Sequence, residues 1–179
     1  MKSLVSWVSV AASVGVGLVW VAAAGADGDH KPRRVRAVLT GFSEVTPAGG
    51  AVSTTGRGTF RADIDEVNSI ITYTLKYSGL SSPVTQSHLH FGQHHTSGGI
   101  SVWLCQTATP FVPATGPAAP LCAPEVSGTL VIANVIGPAG QGIAAGEFAE
   151  LVAAIRGGVV YANVHTTSFG AGEIRGQLF

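Results

Sequence analysis

The stretch that decides the fold is GRGTFRADIDEVNSIITYTLKYSGL, residues 56–80. Apolar and polar side chains alternate in both halves, so that Phe60 shares a face with Ile64, and Ile71 shares a face with Leu75. A period of two residues is typical of half-buried antiparallel strands. The short polar segment 65–68 between the halves predicts that the two strands form a hairpin.

Further runs with the same alternation follow along the chain, and glycine and proline punctuate the gaps between them. We predict additional strands over residues 34–42, 86–91, 100–105, 128–136, 159–166 and 172–179. About eight short strands with turn signals at this spacing indicate an antiparallel β-sandwich or barrel.

One segment, GEFAELVAAIRGG, departs from the alternation. Its apolar residues recur at the spacing i, i+3, i+4 and i+7, at Phe148, Leu151, Val152 and Ile155. This spacing predicts one short amphipathic helix whose apolar side packs against the core. The following pair of glycines predicts where the helix ends.

The N-terminal segment has a different composition from the rest. A basic start, a long uncharged apolar run and small residues such as Ala24-Gly25-Ala26 predict a secretory signal peptide over residues 1–26. An uncleaved membrane anchor is the alternative, because about 20 apolar residues can cross a bilayer. Residues 27–34 would then be a linker and residues 35–179 one domain of roughly 150 residues. We therefore expect a secreted or periplasmic protein.

The charge composition excludes some partners. Lys and Arg number 10, Asp and Glu number 10, and only 11% of residues are charged. This balance argues against nucleic acid as a partner, and contact with a membrane is expected only through an uncleaved N-terminal segment. The only two cysteines, Cys105 and Cys122, flank a proline-rich stretch. In an exported protein such a pair predicts a disulfide that staples the loop 105–122.

Several motifs occur in a characteristic order. They are G-x-x-E-V at 41–45 followed by Pro47, YSGL at 77–80, H-x-H-x-G at 88–92, Y-x-N-V-H-T at 161–166 and GEIRGQL at 172–178. This order resembles the CHRD domain, a module named after chordin and also found in exported bacterial proteins. The resemblance implies an extracellular β-sandwich and carries no general activity. Chordin-like proteins are secreted binders of growth factors, so the partner we expect is an extracellular protein or matrix component.

The histidines provide the clearest candidate site. His88 and His90 are two residues apart on a predicted strand, so their side chains share one face. Leu89 lies on the opposite face, and we assign that face to the core. His165 lies at the end of another predicted strand, so three imidazoles would converge if the two strands were neighbours. Three neutral nitrogens suit copper or zinc, and His94 or His95 could supply a fourth ligand.

A weaker resemblance is to the Cu/Zn superoxide dismutases, which are also antiparallel sandwiches. The shared features are the H-x-H-x-G at 88–92, His165, and the glycine-rich stretch 170–172 that leads to Arg175. The long zinc-binding loop of those enzymes, with its further histidines and aspartate, has no counterpart here. Redox copper chemistry is therefore only a remote extension, and we assign no catalytic residue.

Two other interpretations compete with a metal site. The histidines could make purely structural hydrogen bonds in a polar network with Glu44, Asn163, Glu173 and Arg175, where Glu44 pairs with Arg175 or caps a loop. Alternatively, the protein could be an adhesion or matrix module in which Trp103 and Phe111 are apolar anchors.

The sequence thus predicts a mainly β protein of about eight antiparallel strands and one short helix. The connections are expected to be of the Greek-key, immunoglobulin or superoxide-dismutase-like kind. The function we favour from sequence is that of an exported, non-enzymatic binding or structural module. A copper- or zinc-binding protein using His88, His90 and His165 is the alternative.

Overall fold

The computed structural model describes residues 34–107 and 117–179. The leader, most of the linker and Phe111 therefore lie outside the described residues. Eight strands are present, in the order β1 (Arg34–Thr40), β2 (Arg57–Asp65), β3 (Ile70–Ser78), β4 (Val84–Phe91), β5 (Gly99–Gln106), β6 (Glu125–Leu130), β7 (Val160–Thr166) and β8 (Ile174–Gln177). A single α-helix, α1 (Phe148–Arg156), precedes β7. The predicted class, mainly antiparallel β with one short helix, is confirmed.

All eight strands belong to one hydrogen-bonded sheet with the order β5-β4-β7-β8-β1-β2-β3-β6. The sheet curls so strongly that its two halves face each other across the core, as the layers of a sandwich do. The Tyr73 hydroxyl of β3 donates to the Leu104 carbonyl of β5 at 2.5 Å, although these strands lie far apart in the sheet order. Near the free edges of the sheet, Leu121 forms an isolated β-bridge with Gln106. The Pro124 carbonyl accepts a hydrogen bond from the Tyr77 amide. The sheet is thus nearly closed.

The alternation in 56–80 has the predicted consequence. On β2 every second residue is buried, and Phe60, Ile71 and Leu75 are fully shielded from solvent. On α1 the predicted stripe of Phe148, Leu151, Val152 and Ile155 is buried. These side chains form one hydrophobic core with the inward residues of the other strands. The predicted helix and hairpin are confirmed.

Strand β6 differs from its predicted range of 128–136. It begins earlier, at Glu125, and ends at Leu130. The Asn134 side chain accepts a hydrogen bond from the Val131 amide and closes a short 3-10 turn, which takes the backbone out of the sheet. The apolar run 130–136 looks like a continued strand, but Val131 and Ile132 are largely exposed.

The two cysteine sulfurs lie at disulfide distance, 2.10 Å apart. Cys105 is fully buried at the end of β5, so the link fastens the far end of the stapled loop to the core. Among the described residues, α1 is too short and too polar to cross a membrane, and no other helix is long enough.

Candidate metal centre

The three predicted histidines come together because β4 and β7 are adjacent and antiparallel. In this register His88 faces Asn163, His90 faces Tyr161, and Gln86 faces His165. His165 is therefore one step along the ladder from His88, on the same side of the sheet. Each histidine offers one ring nitrogen, and these nitrogens all lie within 4.8 Å of one another.

The cluster is buried, although it lies on the side of the strands opposite Leu89. His88 is fully shielded, while His90 and His165 are 9% and 7% exposed. The alternation predicts that this face points away from the core, whereas every residue of β7 is buried. The reason is that the turn after β4 and residues from β8 cover this part of the sheet.

The hydrogen bonds fix which nitrogens can bind a metal. His90 Nδ1 lies 2.9 Å from the Gly98 carbonyl, and His165 Nδ1 lies 3.0 Å from the Gly170 carbonyl. A carbonyl oxygen only accepts, so both Nδ1 atoms carry the proton. In a neutral ring the other nitrogen then has a free lone pair, and His90 Nε2 has no partner although it is buried. Metal-binding histidines are oriented by bonds of this kind.

The contact between His88 and His165 fits the same arrangement. His88 Nδ1 lies 3.2 Å from His165 Nε2. Two nitrogens that share one ion at 2.0–2.1 Å are separated by about 2.9–3.5 Å, depending on the angle between them. Without a metal, the same distance allows His88 Nδ1 to donate to His165 Nε2. His88 Nε2 is then buried without a partner.

All three rings are held in the neutral form that metals require. Burial, with smaller contributions from the nearby rings of His165 and His90, lowers the pKa of His88 to about 2. Burial also lowers the pKa of His90 to about 4, against the opposing effect of the Gly98 hydrogen bond. The pKa of His165 is lowered for the same reason of burial.

A turn after β4 forms the cover over the cluster. The Gly98 amide donates to the Tyr161 hydroxyl at 3.1 Å, and the Gln177 side chain donates to the Gly92 carbonyl at 2.9 Å. Gly98 must be glycine, because a Cβ there would collide with the Phe91 carbonyl. The glycine of the H-x-H-x-G motif similarly packs against the Tyr161 ring.

Arg175 anchors this turn from β8. Its guanidinium donates to the carbonyls of Thr96 and Gln93 at 2.7 and 2.8 Å. It also lies 3.3 Å from the centroid of the Tyr161 ring, and that ring stacks on His90 at 4.9 Å. Arg175 is only 2% exposed, so it is part of the covered site.

The remaining predicted network residues separate into two groups. The Glu44 carboxylate accepts from the Asn163 side chain at 2.6 Å and from the Val45 amide at 3.0 Å. Burial raises the pKa of Glu44, while Val45, Arg175 and Asn163 act in the opposite direction. Glu44 and Asn163 therefore adjoin the histidine site.

Glu173 lies elsewhere and does not bind Arg175. Its carboxylate accepts from the Thr54 and Thr166 hydroxyls and from both the amide and hydroxyl of Ser81, all within 2.6–2.8 Å. Burial alone would raise the pKa of Glu173, but these four hydrogen bonds keep it below the usual value. This carboxylate ties three separate loops and strands together.

The other predicted positions do not join the cluster. His94 and His95 are exposed on the covering turn. Neither belongs to the cluster of His88, His90 and His165 that the described residues form. Trp103 is half-buried and packs edge-on against His88, with ring centroids 4.3 Å apart, so it supports the site from β5. Tyr161 and Gln177 occur within the quoted motifs, but the pattern assigns neither residue a role, because both look like ordinary strand residues.

The fold and the site together define a nearly closed antiparallel β domain with a buried three-histidine cluster. The family model for the CHRD domain matches residues 35–178, nearly all of the described domain. The chain therefore belongs to the CHRD domain family. A search of curated proteins found no match.

Proposed function

We propose that this CHRD-domain protein is an exported, non-enzymatic metal-binding module. His88, His90 and His165 would bind one copper or zinc ion. The observation that carries the proposal is the orientation of the rings. His90 and His165 direct their protonated nitrogens to backbone carbonyls, which leaves the other nitrogen of each ring with a lone pair, and one ring nitrogen of each histidine lies within 4.8 Å of the others.

The burial of the cluster favours binding over catalysis. The covering turn is held by Arg175, Tyr161 and Gln177, so an ion between the three rings would be screened from bulk solvent. A metal enzyme needs an open ligand position that a substrate can reach. We therefore place this protein with binding modules and not with redox enzymes.

Export is the second part of the proposal. The apolar N-terminal segment has the composition of a secretory leader. The cysteine pair at disulfide distance supports the same conclusion, because disulfides persist mainly in oxidising compartments. The extracellular protein or matrix partner expected from the family resemblance belongs to this proposal as well.

Metal analysis of the full chain, purified without a histidine tag, tests the site. We expect one equivalent of copper or zinc per chain after loading and removal of weakly bound ions. His165→Gln should lose nearly all of it, because one of three ligands is gone. The doubly substituted His94→Gln/His95→Gln protein is the matched control and should keep the metal.

The competing interpretation is a structural network in which His88 donates to His165 and no metal binds. It would be established if the wild-type protein and His165→Gln retained the same small amount of metal. Circular dichroism of each variant shows whether lost metal reflects a lost ligand or a lost fold.

A further inference from the structure

The donor set of the proposed site has no charge of its own. Among the described residues, only the three imidazoles contribute to this cluster of potential metal ligands, and no carboxylate or thiolate belongs to it. The hydrogen bonds to Gly98 and Gly170 hold two of the rings in their neutral form. The ligands would therefore neutralise none of the positive charge of a bound ion, and that charge would be buried.

The surroundings do not compensate that charge. Arg175 is a buried cation that lies over one end of the site, because its guanidinium is 3.3 Å from the centroid of the Tyr161 ring and that ring stacks on His90. Glu44 is the buried carboxylate nearby, but its two oxygens accept from Asn163 and Val45, and its charge is offset by Arg175. Glu44 and Arg175 thus balance each other before any ion arrives.

Ion charge then decides which metal is favoured. The cost of moving an ion out of water rises with the square of its charge, so a divalent ion costs about four times as much as a monovalent ion of equal size. Zn²⁺ also requires a fourth ligand in nearly all protein sites. The rings supply three nitrogens, and their burial leaves little solvent access for a fourth ligand.

We infer that the His88, His90 and His165 site is selective for monovalent copper, Cu⁺, held by three imidazole nitrogens, over Zn²⁺. This inference rests on the proposed function. Imidazole ligands suit both copper and zinc, so the charge of the ion and the number of ligands decide between them. Arg175 offsets the charge of Glu44, a carboxylate that would otherwise favour the more highly charged ion.

Competition titrations of the full chain test the inference. The Cu⁺ affinity is measured anaerobically with ascorbate against bicinchoninate, and the Zn²⁺ affinity against 4-(2-pyridylazo)resorcinol. We expect Cu⁺ to bind at least about 100-fold more tightly than Zn²⁺. Equal affinities, or tighter Zn²⁺ binding, would overturn the inference and leave the proposed metal site intact. Binding of neither ion would overturn both.

Variants at Arg175 test the physical reason. Arg175→Gln removes the cation and should shift the affinity ratio by about tenfold or more towards Zn²⁺, because the negative charge of Glu44 is then no longer offset near the site. Arg175→Lys also loses the two-carbonyl contact with the covering turn but keeps the charge, so its ratio should stay close to that of the wild type. Loosening of the turn affects both metals and largely cancels in the ratio. An equal shift in both variants would show that the charge of Arg175 does not set the selectivity.

Discussion

Gly172 packs so closely against Asn163 and Glu44, beside the histidine site, that it has no room for a side chain. Its backbone has a φ of +128°, and a Cβ there would collide with the Asn163 amide and the Glu44 carboxylate. Glycine adopts this conformation without strain. The glycine that opens the GEIRGQL motif therefore leaves room for the Glu44–Asn163 hydrogen bond beside the histidines.

Gly172→Ala should lower the free energy of unfolding by about 3 kcal/mol, since it adds both backbone strain and overpacking. Urea denaturation measures the change. Gly140→Ala is the matched control, because a Cβ at Gly140 meets no atom within 4 Å. If the two alanine variants were equally stable, the close packing around Gly172 would be refuted.

Glu173 shows what a local pattern cannot predict. Alternation places Glu173 and Arg175 on one face, an arrangement that suits an ion pair between them. Strand β8 begins only at Ile174, and the donors to Glu173 come from Thr54, Ser81 and Thr166. Thr54 and Ser81 are distant in sequence, and Thr166 lies on the preceding strand β7, so the alternation around Glu173 contains no information about them.

At the scale of elements, the positions of most strands were predictable, but the burial of the second face of β4 and β7 was not. The period-two pattern located β2 and β3 closely. The proximity of His165 to His88 remained conditional, because strand order depends on long-range pairing. The burial of His88 and His90 was missed because the covering turn and Arg175 are polar, and polarity in sequence looks like exposure.

The hydrogen bond from Tyr73 to the Leu104 carbonyl tests how β3 and β5 face each other across the core. Tyr73→Phe leaves this buried carbonyl without its donor, so we expect a loss of about 1–2 kcal/mol in unfolding free energy. Chemical denaturation measures it. Tyr73 also stacks with Phe60 at 6.0 Å, and phenylalanine preserves that contact. An unchanged midpoint would mean that this link between the sheet halves contributes nothing.

For the whole molecule, the buried histidines predict a dependence of stability on pH. Their pKa values are lowered in the folded state, to about 2 for His88 and about 4 for His90. As the pH falls below about 6.5, the unfolded chain takes up protons on these rings and the folded chain does not. The metal-free protein should therefore become less stable from pH 7.5 to pH 5, by up to about 1.4 kcal/mol per pH unit for each ring.

Urea denaturation in the presence of a chelator measures this slope. His88→Gln should have a shallower slope than the wild type by the contribution of one proton. Glu44, whose pKa is raised by burial, acts in the opposite sense but is present in both proteins and cancels in the comparison. The exposed His94 provides the control His94→Gln, which should keep the wild-type slope. A wild-type slope in His88→Gln would contradict the burial of a neutral ring.

The most direct test of the metal site is a crystal structure of the copper-loaded full chain, with anomalous diffraction at the copper absorption edge. We predict one peak about 2.0–2.2 Å from His88 Nδ1, His90 Nε2 and His165 Nε2. The protonated nitrogens of His90 and His165 should still contact the carbonyls of Gly98 and Gly170. A peak only at His94 or His95, or no peak between β4 and β7 in protein that retains copper, would contradict the account.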